Sequence, residues 1–160
     1  MDFDLLLRVV EALENHGVHY KVVGAAALNF LGVLRGTEDA DIFVEPDPDN
    51  IERLKQALTS IWQDPEIQAI NSQELCDNYP SVRYGPPWGE IMFDFLTRLG
   101  EAFSYESLET RVVNVKGVRV CCVTPKQLYK MKIDTVRPQD KIDAEAVREA
   151  YPQEVPGDVD

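Results

Sequence analysis

The sequence is organised around one strand-like stretch, residues 39–44, which reads Asp39-Ala40-Asp41-Ile42-Phe43-Val44. Side chains alternate between the two faces of a β-strand, so residues two apart share a face. We therefore expect the carboxylates of Asp39 and Asp41 to project side by side, with Ala40 and Ile42 on the opposite face. Two like charges this close repel each other unless a cation or a proton relieves them. The alternation predicts a strand that begins with a pair of neighbouring acids.

A second apolar stretch carries a third acid. Residues 91–96 read Ile91-Met92-Phe93-Asp94-Phe95-Leu96, in which Asp94 is the one charged residue. An ionised carboxylate in a core strand is costly unless it is paired or bound to a metal. Mg²⁺ is a hard cation that favours carboxylate, water and phosphate oxygens. Three acids on two neighbouring strands would form a cradle for two metal ions that handle a phosphoryl group.

The segment before these acids has the features of a phosphate site. Residues 20–27 read Tyr20-Lys21-Val22-Val23-Gly24-Ala25-Ala26-Ala27, a predicted strand that ends at glycine and enters a predicted helix. Backbone N–H groups at a helix N-terminus attract phosphate, and glycine lets a ligand approach closely. Such a junction is common by itself. Because Asp39 and Asp41 follow soon after Gly24, the combination predicts a nucleotide site.

The rest of the chain predicts a single domain of mixed secondary structure. Its 160 residues suit one domain, and its hydrophobic share of 44% is enough for a sizeable core. We predict helices at 4–15, 25–34, 50–62, 125–136 and 139–150. We predict strands at 20–23, 39–45, 66–70, 81–84, 90–96, 111–115 and 118–123, with an irregular loop at 71–80. The order of these elements predicts a mixed α/β or α+β sheet over residues 1–150, followed by a flexible acidic tail at 151–160.

The charge balance narrows the classes of partner. The formal net charge is -12, which argues against general affinity for nucleic acid or for anionic membranes. One basic strip, residues 126–143, holds five Lys or Arg residues against three Asp residues. No apolar run approaches the ~20 residues that cross a bilayer, and the acidic start of the chain does not resemble a secretory signal. We expect a cytoplasmic protein whose three cysteines are reduced.

The quoted segments resemble a known family signature. Residues 35–42 read Arg35-Gly36-Thr37-Glu38-Asp39-Ala40-Asp41-Ile42, after Val23-Gly24-Ala25. This is similar to the DNA polymerase beta-type nucleotidyltransferases, in which Gly-Gly or Gly-Ser follows a strand, Asp-x-Asp opens the next strand and a third acid completes the set. The Arg-x-Thr-x-Asp-x-Asp form resembles the small bacterial branch that includes abortive-infection toxins and minimal nucleotidyltransferases. The later residues that resemble this branch are Thr124-Pro125, Met131-Lys132, Arg137, Asp140 and Asp143.

The resemblance covers roughly residues 20–45 and 90–148, and it implies a nucleotidyltransferase-like mixed β-sheet flanked by helices. It assigns two sets of site residues: the catalytic and metal-binding acids Asp39, Asp41 and Asp94, and the nucleotide contacts Gly24, Ala25, Arg35, Thr37 and Lys132. Asp94 is also the candidate general base. The implied cofactor is Mg²⁺ or Mn²⁺, with a nucleoside triphosphate such as ATP as the substrate. Ala25 stands where the family has Gly or Ser, so a methyl group occupies the place where phosphate would approach.

Two functions follow from the resemblance. The first is an enzyme that transfers a nucleoside monophosphate to a hydroxyl of an RNA end, a protein side chain or a small molecule such as an aminoglycoside. The second is a non-catalytic member that binds nucleotide or a partner, such as one component of a toxin–antitoxin pair, and Ala25 favours it. The chain has no obvious second domain for a large acceptor, so an antitoxin, another partner chain or a homodimer would supply that surface.

Each candidate residue also has a purely structural explanation. Asp39 and Asp41 would fit a solvent-facing strand edge, and Asp94 would fit a buried acid paired with an arginine. The arginines considered for Asp94 are Arg83 and Arg98. The remaining structural alternatives are surface charges for Lys132 and Arg137, and capping or salt bridges in the last helix for Asp140 and Asp143.

Overall fold

The computed structural model describes residues 2–33, 35–36 and 38–155. Its helices in chain order are α1 (Phe3–Asn15), α2 (Gly24–Phe30), α3 (Pro48–Thr59), α4 (Pro65–Gln68), α5 (Ser72–Asp77), α6 (Pro125–Ile133) and α7 (Pro138–Ala150). Its strands are β1 (Tyr20–Val23), β2 (Asp39–Val44), β3 (Ser81–Tyr84), β4 (Met92–Leu96), β5 (Arg98–Leu99), β6 (Phe103–Ser104), β7 (Thr110–Val115) and β8 (Val118–Val123). The predicted mixture of helices and strands is confirmed.

Six of the strands form one mixed sheet in the order β3-β4-β2-β1-β8-β7. The strand pairs β2–β4 and β1–β8 are parallel, whereas β1–β2, β3–β4 and β7–β8 are antiparallel. The short strands β5 and β6 pair separately as a two-stranded ribbon. Because β4 is inserted between β2 and β3, the two predicted acidic strands become direct neighbours.

The core lies mainly on one face of this sheet. Ala40 and Ile42 of β2 are fully buried there beside Phe93 and Phe95 of β4. The alternate residues of the same strands project to the opposite face, as strand geometry requires. That opposite face bears the acids, and it is flanked by α6 and α7, which pack against each other.

Local signals explain where most helices begin. The Asp2 carboxylate accepts a hydrogen bond from the Leu5 N–H at the start of α1, and the Thr124 hydroxyl accepts one from the Gln127 N–H at the start of α6. Side-chain caps of this kind satisfy backbone donors that have no partner within the helix. Pro125 follows its cap at the first helical position, where proline costs nothing.

The segment between α3 and β3 differs from the prediction. The predicted strand at 66–70 is wrong, because Pro65–Gln68 forms a short helix capped by the Asp64 carboxylate. The predicted irregular loop at 71–80 contains helix α5, and the Asn71 side chain caps it by accepting from the Glu74 N–H. Each helix spans at most six residues, too few for apolar periodicity to show against a strand or loop pattern.

The predicted helix at 25–34 ends early, at Phe30. Gly32 then takes a φ of +89°, a left-handed conformation that turns the chain out of the helix.

The first five residues of the predicted tail, 151–155, make contacts with the domain. Val155 is buried, and the Tyr151 hydroxyl donates a hydrogen bond to the Leu31 carbonyl. Glu154 also forms an ion pair with Arg111 of β7. The two apolar side chains pull residues 151–155 onto the domain, while residues 156–160 lie outside the described part of the chain. None of the described helices has the length and apolar character needed to cross a bilayer.

Candidate active site

Asp41 and Asp94 face each other across two parallel strands. They are register partners on β2 and β4, and their carboxyl groups are close enough to share a proton through a hydrogen bond. Burial raises the pKa of Asp41 to about 6, and the charge and hydrogen bond of Asp94, followed by the charge of Asp39, act in the same direction. Lys132 opposes this rise. The pair is therefore a concentration of negative charge that a cation would relieve.

Gly24 lies directly against this pair. It follows Val23, the register partner of Asp41 on β1, and it adopts a φ of +62° at the start of α2. A Cβ atom at this position would stand 2.8 Å from Oδ2 of Asp41, closer than side-chain carbons come to such atoms. Glycine is thus required here for two reasons, the left-handed backbone and the approach of the Asp41 carboxylate.

Asp39 takes a different partner. Its Oδ1 lies 2.8 Å from an NH2 nitrogen of Arg83 on β3. The Asp39 carboxylate therefore already has a cationic partner, and the convergence of all three carboxylates stays a prediction. Over residues 2–33, 35–36 and 38–155, no three Asp, Glu, His or Cys side chains stand together as a metal-binding group. Asp39 still lies near enough to raise the pKa of Asp41.

A cavity of about 350 Å³ opens beside Asp41 and Asp94. Its walls combine the strand face with the α6–α7 hairpin. The apolar lining residues are Val23, Phe43, Leu96, Leu99, Leu128 and Met131, and the polar ones, besides Asp41 and Asp94, are Ser81, Lys132, Thr135, Arg137 and Asp140; the backbone of Gly24 completes the wall. The volume suits a small organic ligand, and both acidic and cationic side chains line the cavity.

Lys132 is buried in a network of ion pairs rather than exposed on its helix. Its Nζ lies 2.9 Å from Oδ2 of Asp143 and 3.4 Å from Oδ1 of Asp140. Asp143 also accepts a hydrogen bond from Gln139 and lies 2.8 Å from Nε of Arg35. The structural explanation of Asp140 and Asp143 as salt-bridge partners in the last helix is the arrangement observed.

The network changes the pKa of its central carboxylate. Burial by itself raises the pKa of Asp143, but the hydrogen bonds from Lys132 and Gln139 and the charges of Lys132 and Arg35 outweigh it. The pKa therefore falls below the ordinary value for aspartate. Because α6 and the loop after α2 both reach Asp143, this carboxylate ties them to α7.

Only some of the predicted nucleotide contacts line the cavity. Gly24 and Lys132 line the cavity, and Ala25 is half-buried in the first turn of α2. The guanidinium of Arg35 is engaged by Asp143, so its contact with nucleotide stays a prediction. Thr37 lies outside the described residues. Sequence reasoning did not assign a site role to Arg83, because nothing in the sequence shows that β3 lies beside β4.

Comparisons with known proteins agree on the architecture. No family model matches the sequence, and none of the curated proteins matches it. Among solved structures, the chain is similar to an antigenic nucleotidyltransferase-like protein from Paracoccidioides brasiliensis, with a TM-score of 0.61 and 15% identity over 94% of this chain and 76% of that one. It is also similar to a candidate nucleotidyltransferase from Thermotoga maritima, with a TM-score of 0.55 and 13% identity over 94% and 92% of the two chains.

A third similar structure is ANT(2'')-Ia in complex with adenylyl-2''-tobramycin, with a TM-score of 0.56 and 13% identity over 94% of this chain and 87% of that one. The chain has a nucleotidyltransferase fold. At these identities the likeness establishes the architecture, and it confirms the fold that the sequence resemblance implied. Activity and substrate depend on the residues of the site.

Proposed function

We propose that this protein is a nucleotidyltransferase that moves a nucleoside monophosphate from a nucleoside triphosphate to an acceptor hydroxyl and releases pyrophosphate. The observation that carries the proposal is the register pairing of Asp41 with Asp94 directly against the Gly24 backbone. A carboxyl group with a raised pKa that lies in a cavity, as Asp41 does, is typical of a functional site. Together with the nucleotidyltransferase-like fold, this pair supports the proposal that a cation binds here for phosphate chemistry.

The donor set fits a divalent ion. Mg²⁺ is commonly held by one or two carboxylates together with waters and substrate phosphates, and Asp41 and Asp94 supply two carboxylates at one point. A divalent ion would relieve the repulsion between the two carboxylates. Asp39 would join the set by exchanging its ion pair with Arg83. When bound, Mg²⁺ or Mn²⁺ would stabilise the charge on the phosphates and lower the pKa of the acceptor hydroxyl.

The residues of the chain have separable tasks in this proposal. Asp94 is the candidate general base, since its carboxylate oxygen is in the cavity and can accept the proton of the acceptor hydroxyl. Gly24 leaves its backbone open to the triphosphate, and Ala25 follows it in the same turn. Arg137 at the cavity rim has a side chain that is 75% exposed, so its charge is available to attract the nucleotide.

Small hydroxylated molecules are the first class of acceptor to test. The similar protein ANT(2'')-Ia is solved with adenylyl-2''-tobramycin, which favours testing small hydroxylated molecules such as aminoglycosides first. An RNA end is the second class of acceptor to test, and a protein side chain is the third. An antitoxin partner or a second copy of the chain would supply the surface that a larger acceptor needs.

The test is transfer of label from each α-³²P nucleoside triphosphate, with Mg²⁺, to an aminoglycoside panel, total RNA and cell protein. We expect Asp39→Ala, Asp41→Ala and Asp94→Ala each to remove nearly all transfer, because the three acids act as one unit. Asp4→Ala is the matched control, since Asp4 is an exposed acid of α1 that pairs with Lys116. Transfer that survives in Asp41→Ala would contradict the proposal.

A second function, a non-catalytic nucleotide- or partner-binding protein, is favoured by two observations. Asp39 already forms an ion pair with Arg83, and Ala25 replaces the Gly or Ser that the family resemblance implies beside the phosphates. In that case no acceptor becomes labelled from any triphosphate, and the protein instead co-purifies with a partner such as the product of a neighbouring antitoxin gene. Labelling of any acceptor by the wild type would exclude this second function.

A further inference from the structure

We propose that Arg83 is a positioning residue that holds Asp39 away from the cation site until a divalent ion and a nucleotide bind. The inference rests on the proposed function, because it concerns the same cation site. It goes beyond that function by assigning to β3 a residue that competes with the ion for one of its ligands.

The path of the Arg83 side chain supports this role. Arg83 is the register partner of Asp94 on the neighbouring strand β4, so its Cα stands beside the acid pair. Its guanidinium does not stop at β4 but reaches the next strand, where it lies 2.8 Å from Oδ1 of Asp39. A cation thus spans β4 and lies over the face on which Asp41 and Asp94 meet.

The exposure of the ion pair makes it easy to open. The side chains of Arg83 and Asp39 are 55% and 43% exposed, and pairs with such access to water contribute little, about 0–1 kcal/mol. The pair of Lys132 with Asp143, by contrast, has side chains that are 9% and 3% exposed. A divalent ion at Asp41 and Asp94 attracts Asp39 with twice the charge of the guanidinium, so the weaker pair yields.

Opening the pair gives both partners a new role. Asp39 shares a face with Asp41, two residues along the same strand, and its charge already reaches Asp41. The released guanidinium is planar and has five donors, a geometry that matches phosphate oxygens. Nucleotide binding would therefore exchange partners, with Asp39 passing from Arg83 to the ion and Arg83 passing from Asp39 to a phosphate.

The first arm of the test measures the ion without nucleotide. Mn²⁺ is titrated into the full chain, and free Mn²⁺ is followed by electron paramagnetic resonance. We expect Arg83→Gln to bind Mn²⁺ about threefold to fivefold more tightly than wild type, because the competing cation is gone. Arg98→Gln removes the same charge from β5, where the side chain lines a different depression with Glu45 and Tyr105, and should change the affinity less than about twofold.

The second arm adds α,β-methylene-ATP as the nucleotide probe. Arg83→Gln should now bind Mn²⁺ together with the analogue about tenfold more weakly than wild type, because a charge-assisted contact with phosphate is lost. Arg83→Lys keeps the positive charge but not the planar guanidinium. We expect its affinity for Mn²⁺ together with the analogue to lie between those of wild type and Arg83→Gln. Circular dichroism and urea unfolding check that each variant folds, and Arg83→Ala, which also removes the charge, replaces Arg83→Gln in both arms if Arg83→Gln does not fold.

The outcomes separate this inference from the proposed function. Tighter binding of Mn²⁺ alone together with weaker binding of Mn²⁺ with the analogue, in Arg83→Gln but not in Arg98→Gln, supports the exchange. Equal Mn²⁺ affinities in wild type and Arg83→Gln overturn the inference and leave label transfer, measured separately, to decide the function. Failure of every variant and of wild type to bind Mn²⁺ overturns the inference and the metal site together.

Discussion

Asp41 and Asp143 are both carboxylates withdrawn from water, and their surroundings move their pKa values in opposite directions. Around Asp41 the neighbours are other acids, and burial together with those acids raises the pKa to about 6. Around Asp143 the neighbours are Lys132, Gln139 and Arg35, and their hydrogen bonds and charges outweigh burial and lower the pKa. The two residues flank one cavity, since Asp41 lines it and Lys132 joins it to Asp143.

The difference separates a structural charge from a functional one. Asp143 has the cations that it needs within the chain, so its charge stabilises the contact between α6, α7 and the loop after α2. At Asp41 the charge of Lys132 is outweighed by burial and by the neighbouring acids, so folding brings Asp41 against Asp94 at a cost in free energy. Binding of a cation would offset this cost in free energy. The uncompensated pair therefore supports a cation at Asp41 and Asp94 in the bound protein.

The largest effect on stability should come from removing Asp143, whose charge is compensated by Lys132 and Arg35. We expect Asp143→Ala to lower the free energy of unfolding by about 3–5 kcal/mol, because it leaves Lys132 and Arg35 with less compensation in a buried place. Urea unfolding at pH 7 measures the loss. Glu145→Ala is the matched control, since Glu145 forms an exposed pair with Arg148 in the same helix and should cost less than about 1 kcal/mol.

The stability difference between wild type and Asp143→Ala should depend on pH. The pKa of Asp143 is lowered in the folded protein, so its contribution is present above the pKa of the unfolded chain and is lost as the pH falls through the folded value. The deficit of Asp143→Ala relative to wild type should therefore shrink below about pH 4. A deficit that stays constant down to pH 2 would mean that packing, and not charge, explains the loss.

Much of the Asp41–Asp94 region could be predicted from sequence. The sequence pattern placed both acids on strands and placed Asp41 on the face opposite Ala40 and Ile42, because strand parity is a local property. Gly24 was also identified, since a glycine between a strand and a helix is a recognisable signal. What local pattern could not provide was the strand order, and so the partner of Asp39, Arg83, remained unassigned.

The Asp143 region was less accessible to sequence reasoning. Lys132 and Asp143 are eleven positions apart on two helices, and helical periodicity does not state which faces meet across a turn. Lys132 was equally compatible with a surface charge and with a ligand, and it is a buried ion-pair partner. Tertiary packing of the hairpin decides such cases, as it also decided that the first residues after α7 pack on the domain.

A medium effect should follow from Gly24→Ala. The substitution places a Cβ where the backbone is left-handed and where Oδ2 of Asp41 would be 2.8 Å away, and we expect a loss of about 2 kcal/mol in the free energy of unfolding. Gly17→Ala is the matched control, because its φ is +68° but nothing lies within 4 Å of its Cβ position. Equal losses in the two variants would show that Asp41 does not constrain residue 24.

A gain in stability should follow from Asp41→Asn in the metal-free protein. The folded protein keeps a proton on Asp41 up to about pH 6, whereas the unfolded chain releases it near the ordinary value of 3.8. Wild-type stability therefore falls as the pH rises between these values, and the loss is complete above pH 6. We expect Asp41→Asn to be more stable than wild type by about 1–2 kcal/mol at pH 7.5 and to show no such advantage at pH 3.5.

Addition of Mg²⁺ should reverse that order. A ligand that binds the folded state alone raises the melting temperature, and the wild-type carboxylates must be ionised to bind it. We expect Mg²⁺ with a nucleoside triphosphate to stabilise wild type at pH 7.5 but much less at pH 5, and to have little effect on Asp41→Asn at either pH. Equal thermal shifts in the two proteins would place the ion elsewhere.

The smallest effect on folding should come from Ala25, and here transfer is the sensitive measurement. Ala25 is half-buried in the first turn of α2, so Ala25→Gly should cost less than about 1 kcal/mol in stability. Ala26→Gly, which removes a fully buried methyl group one position later, should cost more.

For label transfer, the substitutions at Ala25 should have the larger effect. Ala25→Gly and Ala25→Ser should leave labelling unchanged or raise it, because they remove a methyl group or add a hydroxyl where phosphate approaches Gly24. Ala26→Gly should bring no gain, since its side chain lies in the core and away from the ligand. A wild-type activity that collapses in Ala25→Gly would show that the methyl group itself positions the triphosphate, and that the turn after β1 binds phosphate in another way than its glycine implies.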